Sequence, residues 1–179
     1  AVFLALGWAG WKMYLGRPAT DLVRCSAMLM LGESLRESPR LEEALPVLEA
    51  TLALRRRYRP HDKENLFAAQ TNIACCLAEL GREDEALVLE RDVYARRVAI
   101  FGVSHAHTIG SGLNAAIYMK RLELWGEAKA LLDELLPTAR RALGPDHGQT
   151  LTINLNIASV LHNNPQRTRD DLLEAETIM

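Results

Sequence analysis

Cysteine is scarce in this chain, and what there is cannot pair up. Cys25, Cys75 and Cys76 are an odd set with no Cys-x-x-Cys spacing, which excludes a disulfide framework and a zinc ribbon and fits a reducing, cytoplasmic setting. Aromatic residues make up only 6% while Ala, Leu, Glu and Arg are abundant, a mixture that favours packed helices over pleated strands. Neither sign of charge dominates, with 21 Lys and Arg against 23 Asp and Glu. That balance removes the main support for a basic nucleic-acid binder and for an acidic disordered tail. Long apolar runs are missing too. The longest, Ala1 to Trp11, stops at Lys12 and is about half the ~20 residues a membrane-spanning helix needs. No basic segment precedes it and no small-residue cleavage pattern clearly follows, so a secretory leader is not expected. A chain that opens on Ala is open to being processed or to being part of something longer.

The 179 residues, 49% of them apolar, fit one domain or one run of small stacked units, with ample material for a core. Self-similarity decides between the two. Asn72, Asn114 and Asn156 lie 42 residues apart in matching frames: Thr71-Asn72-Ile73-Ala74, Leu113-Asn114-Ala115-Ala116 and Leu155-Asn156-Ile157-Ala158. Glu43-Ala44, Glu85-Ala86 and Glu127-Ala128 keep the same interval, as do Gly102 and Gly144, His105 and His147, Thr108 and Thr150. The series Leu35, Leu77, Met119, Leu161 and the series Val47, Leu89, Leu131, Leu173 obey it as well. A fixed period of this size is the signature of a stacked array.

Within each unit the apolar spacing is helical, and no segment alternates with period two. The spacing predicts first helices over Leu22–Glu37, Glu64–Leu80, His107–Leu122 and Gln149–Asn163. Second helices are expected over Leu41–Tyr58, Glu83–Ile100, Gly126–Leu143 and Arg167–Met179. Breakers stand where turns are required: Ser38-Pro39, Gly81 and Asn164-Pro165 inside units, Arg59-Pro60, Gly102 and Gly144-Pro145 between them. Small residues in the middle of each first helix (Gly32, Ala74, Ala116, Ala158) and early in three second helices (Ala44, Ala86, Ala128) allow close helix approach. The expected organisation is a partial preceding unit at 1–17, units at 18–59, 60–101 and 102–143, and an incomplete or capping unit at 144–179.

This small and large pattern of helix-turn-helix units resembles tetratricopeptide repeats. The longer period is similar to that of the kinesin light chain subfamily. Gly144-Pro145-Asp146-His147 with Leu155-Asn156-Ile157-Ala158, Gly102-Val103-Ser104-His105 with Leu113-Asn114-Ala115-Ala116, and Gly81-Arg82-Glu83-Asp84-Glu85-Ala86 carry the resemblance. The first of two adjacent asparagines in the family pattern is replaced here by Thr71, Leu113 and Leu155. The fold expected is all-α, a right-handed superhelical solenoid of such repeats. The resemblance implies a concave groove lined by the first helices, where a partner protein's peptide or helix is held.

Residues assigned to that groove include Thr71, Cys75, Leu113, Ile117, Lys120, Leu155 and Ser159, with Arg36, Lys120, Arg121 and His162 placed to meet acidic groups. On this reading, Asp at Leu113 and Ile117 abolishes capture and leaves the fold intact. Asn72, Asn114 and Asn156 have two roles open: bonding successive stretches of a ligand backbone, or bonding the neighbouring unit to hold the stack. The arginines late in the second helices (Arg55, Arg56, Arg57, Arg96, Arg97, Arg140, Arg141) read as a solvated outer face opposing the helix dipole. His105, His107, Asp146 and His147 read as turn caps ahead of metal ligands. No nucleophile elbow, phosphate loop or zinc-protease motif occurs; no catalysis, cofactor, metal, nucleic acid or membrane is expected. Two alternatives of another kind stay open: self-association through Ala1–Tyr14, with Trp8 and Trp11, or service as the targeting part of a larger enzyme.

Overall fold

The computed structural model describes residues 41–178. The expected partial helix at 1–17 with Trp8 and Trp11, the first helix over Leu22–Glu37 with Gly32 and Arg36, Cys25 and the Ser38-Pro39 turn lie outside the described residues. Among the described residues seven helices follow one another: α1 (Leu41–Tyr58), α2 (Lys63–Glu79), α3 (Glu83–Phe101), α4 (Ala106–Arg121), α5 (Trp125–Ala142), α6 (Gly148–Asn163) and α7 (Arg169–Ile178). There is no strand among the described residues. α1 matches its expected span, and α2 to α6 start and stop within a residue of theirs. The late start of α7 has a local cause. Thr168 and Asp171 form a reciprocal cap: the Thr168 N–H and hydroxyl donate to Asp171 Oδ2 at 2.6 and 2.8 Å, and the Asp171 N–H donates to Thr168 Oγ1 at 3.2 Å.

The chain divides into two compact units, residues 1–76 and 77–179. In the first, α1 buries Ala44, Leu48, Thr51, Leu52 and Arg55 along one helical stripe. The part of α2 in this unit buries Leu66, Phe67, Ala69, Gln70, Ile73, Ala74 and Cys76. The burial of Arg55 corrects its assignment to a solvated face; its neighbours Arg56 and Arg57 are exposed.

In the second unit each helix packs on the next, α3 on α4, α4 on α5, α5 on α6 and α6 on α7, and α4 also meets α6. The expected small residues Ala86, Ala116, Ala128 and Ala158 are all buried. A further small residue sets the approach of α4. A Cβ at Gly112 would stand 2.9 Å from the Leu135 Cδ atoms and 3.0 Å from Tyr94 Cε2, so α3 and α5 close on α4 where it has no side chain. Leu77, Met119 and Leu161 are core; the parallel series is half-buried at Leu89 and Leu131 and exposed at Leu173.

The turns repeat in geometry as well as sequence. After α2, the Gly81 N–H reaches the Ala78 carbonyl at 3.3 Å and the Arg82 N–H the Leu77 carbonyl at 2.9 Å, with Gly81 at φ +77°. This is the Schellman arrangement, which needs a left-handed residue. After α4 the same two bonds form, Glu123 N–H to Lys120 carbonyl at 3.1 Å and Leu124 N–H to Met119 carbonyl at 2.9 Å, with Glu123 at φ +60°. A glutamate therefore holds a backbone position that glycine holds one period earlier.

Candidate peptide-binding surface

Three of the residues assigned to the groove, Thr71, Asn72 and Cys75, are half-buried on α2 in the first unit. The other described ones lie in the second unit, on α4 and α6. Helical spacing puts Leu113, Ile117 and Lys120 on one stripe of α4, and Leu155 and Ser159 on the matching stripe of α6. Their exposures differ sharply. Leu155 is 62% exposed and Leu113 only 6%, so Leu113 is packed into the protein and is not an open groove wall. Ile117, Lys120 and Ser159 are half-buried, and Arg121 is exposed.

The C-terminal turn of α4 joins neighbouring layers. Lys120 Nζ donates to Asn156 Oδ1 at 2.7 Å and to Ser159 Oγ at 3.4 Å, both on α6. Arg121 Nη1 points the other way and donates to the Ala78 carbonyl at the end of α2, at 3.4 Å. Burial holds the Lys120 ammonium below its ordinary pKa, and the Arg121 charge adds to the effect. Its acceptors are neutral, and among the described residues no carboxylate forms an ion pair with it. A half-buried cation is thus fixed by an amide and a hydroxyl with its charge uncompensated.

Asn156 is 8% exposed and its amide is used in both senses, since Nδ2 donates to the Thr152 carbonyl at 2.9 Å. The amide links layers through Lys120. Asn114, one period earlier, is half-buried. Sequence reasoning named Lys120, Asn156 and Ser159 separately, but the bonds among them were not legible. Lys120 stands in register with Ala78 and His162, so the period does not announce it.

The arginines of α3 divide. Arg96 is exposed and pairs with Asp92 at 3.0 Å, as a solvated outer face requires. Arg97 is buried, and its Nη1 donates to the His107 carbonyl and to Ser111 Oγ, each at 2.7 Å. This second buried arginine, in register with Arg55, ties the end of α3 to the first turns of α4. Among the histidines, His147 caps α6 by accepting the Gln149 N–H on Nδ1 at 3.2 Å. His105 holds the equivalent place before α4 with no side-chain cap bond, and stacks on Phe101 with ring centroids 5.0 Å apart.

Comparison with known proteins places this architecture. Tetratricopeptide repeat family models match residues 23–97 and 108–148. The chain belongs to the tetratricopeptide-repeat family. Two Podosopora anserina crystal structures, named for kinesin light chain and for nearly identical TPR-like repeats, are similar at 19% identity and a TM-score of 0.75. The likeness covers 87% of this chain and 73% of one, and 91% of this chain and 75% of the other. BtubC (BKLC) from P. vanneervenii is similar at 15% identity and a TM-score of 0.74, over 93% of this chain and 66% of its own. At these identities the likeness is one of fold: the tetratricopeptide-repeat chain is an all-α helical-repeat solenoid whose hairpins are built like the kinesin light chain type. No curated protein matches the sequence. Tetratricopeptide repeats are in general non-enzymatic scaffolds that bind protein partners. No helix among the described residues is long and apolar enough to cross a membrane.

Proposed function

We propose that the chain is a protein-interaction scaffold, with no catalytic role of its own, that holds a peptide or short helix of a partner protein along the first-helix face. The single observation that carries this reading is the uncompensated Lys120 ammonium, fixed by Asn156 and Ser159 close in sequence to exposed Leu155 on α6. An exposed leucine near a preorganised cation suits a segment with an apolar side and an acidic group. Ile117, Arg121 and Asn114 extend the α4 side of that surface. In the first unit, Thr71, Asn72 and Cys75 are assigned a like role on α2, and Arg36 is assigned one from sequence alone. The units proposed from the 42-residue period place one such helix in each layer. The scarcity of cysteine favours a cytoplasmic setting.

Calorimetric titration with a short Leu/Glu amphipathic peptide, and with its Leu/Lys counterpart, tests this. The acidic peptide binds, the basic one does not, and Lys120→Met and Leu155→Asp each weaken binding about ten-fold with helical circular dichroism preserved. Equal binding of the two peptides, or full affinity in both variants, rejects the reading.

A further inference from the structure

Away from the first-helix face, a cavity of about 500 Å³ opens between the α4–α5 turn and the α6–α7 turn. Its lining includes Glu123, Trp125, Glu127, Asn164 and Gln166, and no lysine or arginine. The chemistry is therefore two carboxylates, an indole and neutral amides, beside the apolar Leu124 and Pro165. Two guanidinium groups of the protein bond to residues of this lining. Arg91 Nη2 donates to Glu127 Oε2 at 2.5 Å, and Arg167 Nη1 donates to the Asn164 carbonyl at 3.3 Å.

Glu123 is different. It is exposed, and among the described residues it forms no ion pair with a lysine or arginine. Its carboxylate stands at a backbone position served one period earlier by Gly81, two residues from the indole of Trp125.

We propose that this edge cavity receives a basic side chain, an arginine, from a partner protein. A guanidinium is planar, so it can lie on the Trp125 ring while its edge pairs with the Glu123 carboxylate; an ammonium does the second but stacks less well. The surface lies on the turn edge of the hairpins and does not depend on the first-helix face being a peptide site. It gives the scaffold a second contact of opposite charge preference to the Lys120 region.

The test is an NMR titration of the full chain at low salt, following the Trp125 indole N–H, assigned by its loss in Trp125→Phe. The probes are acetyl-Gly-Arg-Gly-amide and the same peptide with neutral citrulline in place of arginine. The arginine peptide is expected to shift the Trp125 resonance saturably and to bind about five-fold more tightly than the citrulline peptide. Glu123→Gln and Glu123→Gly, the latter suited to the left-handed backbone, both abolish that difference, whereas Lys120→Met leaves it in place. Equal shifts with the two peptides, no saturable shift, or an undiminished preference in both Glu123 variants overturns the proposal.

Discussion

Some residues related by the 42-residue period share a frame without sharing an environment. Leu113 and Leu155 occupy the same register on α4 and α6, yet the first is buried and the second largely exposed. The difference bears on how the surface should be probed. Leu113→Asp places a carboxylate in a packed site and is expected to cost about 3 kcal/mol or more, seen as a lowered denaturant midpoint. Ile117→Asp, at a half-buried position, is expected to cost much less. Equal stability losses in the two variants would contradict the burial difference. Arg97 carries the same lesson: an arginine late in a helix reads as a dipole partner, but two 2.7 Å bonds to α4 make it a fastening between hairpins.

At the level of elements, helix existence and extent followed from spacing and breakers, because each hairpin closes over a short turn whose chemistry is local. The start of α7 is the informative case. A Thr-x-x-Asp pattern at Thr168 is a sequence-level start signal that apolar spacing does not register. Hydrogen bonds from Thr168 hold the Asp171 carboxyl below its ordinary pKa of 3.8. A depressed carboxyl pKa means a stabilising contribution that is present above the unfolded value and lost as pH falls through the folded one. Hydrogen-exchange protection of the first α7 amides is therefore expected to fall on acidification below about 3.8. In Asp171→Asn it should be low at neutral pH already and insensitive to acid. A wild-type α7 that keeps full protection at acidic pH would show that the cap does not hold the first turn.

At the largest scale, the serial packing of α3 to α7 means that each hairpin of the second unit is stabilised mainly by its neighbours. A cavity in one interface should weaken its own layers first. Leu132, fully buried on α5, is expected to lose about 2–5 kcal/mol on truncation to Ala, and exchange of α4 to α6 amides should accelerate together. Leu173→Ala, at an exposed site on α7, should leave the same amides nearly unchanged. Comparable losses from the two truncations would argue against a layered core.

Period and breakers determined the helices, the hairpin order and the buried alanines, because all of these rest on interactions within a few residues or on a pattern repeated in every layer. Only the tertiary structure decided that Lys120 meets Asn156, that Arg97 turns inward, and that Leu113 is covered while Leu155 is not. Those outcomes depend on what the adjacent layer presents at one place in space. A repeat that keeps its frame but changes single side chains gives no notice of that in the sequence.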